Sequence, residues 1–167
     1  AMTSSLTSGV YSQYQGGTIV VSQNADATDE STQRAEEILR STSGVTAIKH
    51  MAQWPADAQT DATRAGLYVS PLAPKPFADL DLSAGTTPTA DDQIAIPEHT
   101  ALTLSLKVGD TVRVRAGFTE GDYRTLTIVG TTRSHTISMG IPASYVTDGG
   151  FSAIFGTTAS GQFIVAT

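Results

Sequence analysis

No cysteine occurs in the 167 residues. That excludes disulfides, thiolate nucleophiles and cysteine-ligated zinc or iron–sulfur sites. It leaves the compartment open, because a cysteine-free domain folds in either redox environment. Charge is scarce too: 16% of residues are charged, against roughly 25% in an average domain. Aromatic residues make up 7%, so a core must rest on Val, Ile, Leu and Ala. Ten basic residues face sixteen acidic ones, for a net charge of −6. A phosphate-tracking surface needs clustered Lys and Arg to release counterions, so nucleic acid is disfavoured as a partner. Anionic lipid is disfavoured for the same reason. No apolar run approaches the ~20 residues that span a bilayer. Ala1-Met2-Thr3-Ser4 has neither the basic nor the apolar region of a signal peptide. Ala1-Met2 reads as a cloning remnant on an excised soluble piece of a longer protein.

What is present is a mixed pattern. Residues 1–17 are rich in Ser, Gly, Tyr and Gln and read as a flexible lead-in. Thr18-Ile19-Val20-Val21-Ser22 is a β-branched strand, followed by a turn over 24–28. A helix is expected from about Glu30 to Ser41, capped by Asp29, with Ala35, Ile38 and Leu39 as its buried stripe. Glu36 and Arg40 form an i,i+4 pair in the favourable order. Gly44 stands where a left-handed C-cap is wanted, and a second strand runs from Val45 to Met51. Residues 54–63 read as a polar loop and 66–70 as a strand, with Leu67 and Val69 on one face. Pro71, Pro74 and Pro76 stiffen the connection that follows.

The second part has another texture. Ile94-Ala95-Ile96 is a short strand, and Pro97 suits the first position of a helix. The next residues fit two patterns: Leu102, Leu104 and Leu106 alternate as in a strand, whereas Ala101, Leu104 and Val108 keep helical spacing. Gly109-Asp110 turns the chain. Val112, Val114 and Ala116 face one way from a strand over 111–116, and Arg113 and Arg115 the other. A hairpin returns along 123–129, which puts Arg113, Arg115 and Arg124 on a solvated face. A polar loop is expected through His135, with Gly149-Gly150 and Gly156 in a flexible stretch and a last strand over 162–166.

Catalytic spacing is absent. His50, His99 and His135 lie in separate segments without H-x-x-x-H or H-E-x-x-H spacing, so they read as satisfied or exposed histidines rather than a metal site. Ser134-His135 are neighbours in sequence, which does not bring a nucleophile and its base together in space, and no Gly-x-Ser-x-Gly elbow occurs. Asp26, Asp29 and Glu30 suit the start of a helix, and Asp91-Asp92 a solvated loop. Calcium would need an Asp-x-Asp-x-Asp-Gly loop, which is missing. No P-loop is present. The reading is therefore no catalytic residue, no cofactor and no metal, hence no enzyme. Trp54, the only tryptophan, is the candidate partner-facing residue, its alternative role being to plug the edge of a core.

One ordered set of motifs carries a resemblance. Gly85-Thr86-Thr87-Pro88 precedes the strand Gln93-Ile94-Ala95-Ile96. Then come Ala101 to Leu106, the turn Lys107-Val108-Gly109-Asp110-Thr111-Val112 and the strand end Ile128-Val129-Gly130. Upstream, Gly44-Val45 opens the second strand after Leu39. Over roughly 18–130 this resembles the soluble domain of ABC-transporter permeases of the MacB/FtsX type. The resemblance implies an α+β fold: a split βαβ, porter-like subdomain plus an inserted β-rich subdomain with one short helix. The expected layout is 18–70 for the first half of the βαβ-type subdomain, 71–150 for the insert, and 151–167 for a truncated return strand. It implies an outward-facing position, on the extracellular or periplasmic side of a cell membrane. The implied partners are an ATP-binding subunit or domain, a second permease copy, and an exported substrate or extracellular partner protein. A different class, a secreted β-rich binding or adhesion module with a barrel around Gly109-Asp110, is the alternative.

Overall fold

The computed structural model describes residues 19–22, 28–73, 75, 77, 79–117, 119, 121–133, 143–158 and 162–167. The lead-in, Asp26, Pro74, Pro76, Ser134 and His135 lie outside them. In chain order the elements are β1 (Ile19–Ser22), α1 (Asp29–Ser41), β2 (Ala47–Met51), β3 (Trp54–Gln59), β4 (Arg64–Pro71), β5 (Leu82–Gly85) and β6 (Gln93–Pro97). They continue as α2 (Glu98–Thr103), β7 (Thr111–Ala116), β8 (Arg124–Thr132), β9 (Ala143–Val146), α3 (Asp148–Phe155) and β10 (Gln162–Ala166). The chain divides into two compact units. One holds residues 1–52, 73–79 and 160–167, the other 53–72 and 80–159.

The first unit is a three-stranded antiparallel sheet in the order β1–β10–β2. Its centre is β10, which after Gln162 is an uninterrupted apolar run, and Phe163 to Ala166 are all buried. A strand covered on both faces needs that composition. Phe163 and Val165 face the α1 side, where the His50 ring packs on Phe163 at 4.5 Å between centroids. On the other face Met51, Ile164 and Ala166 pack with Phe77, while Ala47 and Ala73 flank them. The cap of α1 is Thr28, not Asp29: Thr28 Oγ1 accepts from Ser31 N, and Ser31 Oγ returns a contact to Thr28 N. Asp29 is the first helical residue. The expected stripe is only half realised. Ala35 and Leu39 are half-buried, but Ile38 is 48% exposed, because α1 lies mainly on the edge strand β2. The C-cap is Thr42 in an extended conformation. Gly44, at φ +90°, serves the turn beyond it.

In the second unit six of the described strands close a ring, β8–β6–β9–β4–β3–β7 and back to β8. Strand β5 adds to the far part of β8. Closure removes the free edges that an open sheet would carry. Alternate side chains fill the interior: Ala56 and Ala58, Leu67 and Val69, Val112 and Val114, Leu126 and Ile128. The expected loop over 54–63 is corrected here. Trp54 to Gln59 form a ring strand paired with both β4 and β7. Pro55 is tolerated because it stands at the end of the β7 ladder, where its carbonyl accepts from Gly117 N at 2.9 Å and no N–H is needed. Since β3 and β4 are members of the ring, a fragment lacking residues 1–70 would not retain it.

The ambiguous stretch after Pro97 is neither a strand nor a long helix: α2 ends at Thr103, and Leu104 to Val108 follow as turn and coil. Pro97 is the N-cap of α2 and the last residue of β6, rather than the first helical position. A Schellman motif ends α2: Leu106 N donates to Ala101 O at 2.8 Å and Ser105 N to Leu102 O at 3.1 Å. This demands a left-handed residue, and Ser105 takes it at φ 55°. Ser105→Gly relieves the Cβ clash and is expected to stabilise the protein by about 0.5–1 kcal/mol, less than the full left-handed penalty because glycine also loosens the unfolded chain. A higher urea midpoint at unchanged slope would show it; a lower one would contradict it.

The supposed flexible stretch around Gly149-Gly150 is also corrected. It is α3, capped by Thr147 and closed by Gly156 at φ +76°. Inside the ring, Ser144 is 0% exposed and its Oγ has no partner among the described residues. An orphan buried hydroxyl costs ~1–3 kcal/mol. Ser144→Ala is therefore expected to be neutral or stabilising, by up to about 2 kcal/mol, in equilibrium urea unfolding.

Candidate functional surface

The sequence-predicted site residues do not converge. His99 is exposed on α2 and His50 half-buried in the first unit. Among the described residues no three His, Cys, Asp or Glu side chains stand where they could share a metal ion. Asp29 and Glu30 sit in the first turn of α1, and Glu30 pairs with Arg34. Asp91 is not simply solvated: its Oδ1 accepts from Thr147 Oγ1 at 2.7 Å.

Trp54 shares the interior face of β3 with Ala56 and Ala58, at the end of the ring. Its indole lies 5.2 Å from the Phe151 ring and meets Phe155 edge-on at 5.4 Å. Phe151 is fully buried, whereas Trp54 and Phe155 are half-buried. The indole is therefore engaged within its own unit, with part of its surface left uncovered.

Of the arginines expected on a solvated face, Arg113 and Arg115 form ion pairs with Asp61 and Asp57 on the outside of the ring. Arg113 reaches Asp61 at 3.0 Å, and Arg115, directly opposite Asp57 in register, contacts it at 3.4 Å. The Arg115 guanidinium also lies 4.5 Å over the Tyr123 ring, whose hydroxyl accepts from Arg64. Arg115 is only 22% exposed, so its face is packed rather than simply solvated. Only the alternation of Arg113 and Arg115 with apolar residues was visible in the sequence; their acidic partners, Asp57 and Asp61, come from β3 and the turn after it, more than 50 residues away in the chain.

In the first unit Glu36 bridges two partners. Arg40 Nη2 donates to its Oε1 at 2.6 Å, and His50 Nε2 lies 3.1 Å from its Oε2. The Arg40 guanidinium, and after it the His50 ring, hold the Glu36 carboxyl below the usual carboxylate range. A carboxyl lowered by folding stabilises the fold above its unfolded pKa, and that share is lost as pH falls through the folded value. Glu36→Gln is therefore expected to cost about 0.5 kcal/mol at pH 7. The gap to the parent should shrink on acidification below the unfolded carboxyl value of 4.5. Urea midpoints from pH 7 to pH 3 test this; a gap that widened in acid would reverse the sign.

Two glycines of the recognised motif order, Gly85 before Thr86-Thr87-Pro88 and Gly130 at the strand end, meet in space. Gly85 and Gly130 are register partners across β5 and β8, and Thr86 N donates to Val129 O at 2.8 Å. A Cβ at Gly85 would collide with Val129 O, and one at Gly130 with Thr86 O. Gly85 also holds φ +75°.

No family model matches the chain, and no curated protein matches it by sequence. Solved structures do. The extracellular domain of the noncanonic ABC-type transporter YknZ from Gram-positive bacteria superposes with a TM-score of 0.58 at 19% identity, covering 90% of this chain and 83% of that one. The periplasmic region of MacB from Actinobacillus actinomycetemcomitans gives 0.54 at 14% identity, covering 89% and 72%. The fold is thus the α+β, porter-like fold of these transporter domains. No helix among the described residues is long and apolar enough to cross a membrane.

Proposed function

We propose that this chain is the outward-facing domain of an ABC-transporter permease of the MacB/FtsX type. In this reading it contacts an exported substrate or an extracellular partner protein and passes motion to membrane helices outside the chain. The ATP is hydrolysed by a separate subunit or domain, and a second permease copy completes the transporter. The domain itself carries no catalysis. Trp54 is the proposed partner contact, through the part of its ring that α3 leaves uncovered. The observation that carries the reading is the correspondence of fold along 90% of the chain with a transporter's extracellular domain. The motif order from Gly44 to Gly130 points the same way.

The absence of cysteine in this chain makes a direct test simple. Spin labels at engineered cysteines replacing the exposed Gln33 and Thr103 would report distances in the full permease, assembled with its ATPase in a bilayer. The label–label distance, or the distance to the second copy, is expected to change between the ATP-trapped and nucleotide-free states. Distributions that stay identical through the cycle would end the coupling idea. A complete reading frame with a cleaved signal peptide and no membrane spans would point instead to the secreted binding module, which the closed strand ring favours.

A further inference from the structure

We propose that α3 is a separately opening plug at one end of the β-ring. Strand direction places it. The start of β3 and the ends of β4, β7 and β9 lie together, and α3, leaving β9, packs on β4, β7 and β9 with Trp54 beneath it. Each ring strand pairs with ring neighbours, so the ladder is complete without α3, and its departure breaks no inter-strand hydrogen bond.

The helix is weak by itself. It has eight residues, DGGFSAIF, with Gly149 and Gly150 in the first turn. Helices this short are marginal in isolation, and each glycine weakens helix formation roughly fivefold against alanine. The glycines are there for Asp91. A Cβ at 149 would stand 2.5 Å from the Asp91 carboxylate oxygens, and one at 150 would stand 3.0 Å from Asp91 O. The chain thus gives up helix propensity to admit a latch. Thr147 Oγ1 accepts from Gly150 N at 3.0 Å and donates to Asp91 Oδ1 at 2.7 Å, at an exposed position. The fully buried Phe151, the edge-on contact of Phe155 with Trp54 and this latch are among the contacts that hold α3 down. When α3 lifts, it carries Phe151 and Phe155 away and uncovers Trp54 at the end of the ring as a transient apolar mouth. This opening is a property of the ring and its helix, whether or not the chain belongs to a transporter.

Native-state hydrogen exchange on the whole chain, followed in rising sub-denaturing urea, tests it. Amides of 151–156 are expected to exchange through an opening with little urea dependence and faster than those of β6 and β8. Thr147→Ala should speed the α3 amides roughly tenfold, the usual effect of losing an N-cap, while leaving β6 and β8 unchanged. Asp91→Ala, which spares the cap itself, should act in the same direction. Trp54 emission should report the opening before the strands unfold. Uniform acceleration of helix and strands, or no acceleration at all, overturns the plug.

Discussion

Gly85→Ala is expected to destabilise the protein by about 3–4 kcal/mol, with a fall in urea midpoint at unchanged slope. Two independent costs combine. The left-handed backbone at φ +75° penalises a Cβ by roughly 1–2 kcal/mol. The new methyl also has no room, because Val129 O and the Gly130 Cα stand where it would go, and overpacking of this kind costs ~1–3 kcal/mol. Neither obstacle is a flexible side-chain tip; both are backbone of β8, which is tied to β7, β6 and β5. Gly130→Ala meets Thr86 O and the Leu82 side chain and should cost about 1–3 kcal/mol, without the dihedral penalty. Gly66 lies in β4, where an added Cβ would meet nothing within 4 Å, so Gly66→Ala is the control and should be close to neutral. A Gly85→Ala protein within 1 kcal/mol of the parent would refute the account of this pair. The same contacts explain why these two positions carry the motif: they are where two backbones must touch.

Phe163→Ala should cost about 3–5 kcal/mol, the range for removing a fully buried phenylalanine. Phe163 is 0% exposed in the central strand of the first unit. The sheet has only three described strands, so little can collapse into the cavity. The His50 ring loses its stacking partner, and with it the surface that aims it at Glu36. The loss should therefore appear as selective deprotection of amides in β2 and β10, with the ring strands of the second unit keeping their exchange rates. Phe163→Leu, which refills most of the volume, should recover more than half of the loss. If alanine and leucine unfold the protein equally, the phenyl ring's place in the core has been misjudged.

How far the sequence could be read depended on whether the signal was local. The β7–β8 hairpin was legible, since clean alternation at Val112, Val114 and Ala116 and the Gly109-Asp110 turn lie within a few residues of one another. So was β10, whose continuous apolar run announces a strand buried on both faces. Strand β3 was not, because Pro, Asp, Ala and Gln are poor strand formers. Its alternation of Ala56 and Ala58 with Asp57 and Gln59 has meaning only between β4 and β7. Helix α3 was hidden for the opposite reason: its glycines signal a loop locally, and only Asp91, 58 residues before Gly149, accounts for them. At the surface, Trp54 was picked out as the lone tryptophan, but its neighbours Phe151 and Phe155 arrive from almost a hundred residues away.

Residue content and local pattern set the chemical limits: no cysteine chemistry, no basic surface for phosphate, no long apolar span, and strands and one long helix where periodicity was strong. They also carried the motif order that the fold later matched. Packing in three dimensions was needed to close six strands into a ring, to make the motif's two glycines partners, and to pair the arginines. Composition and period act over a few residues and set what each segment prefers. Register, closure and close approach are settled by contacts between segments distant in the chain, from Gln93 with Thr127 to Ile19 with Val165, and those contacts override a weak local preference wherever packing is worth more than propensity.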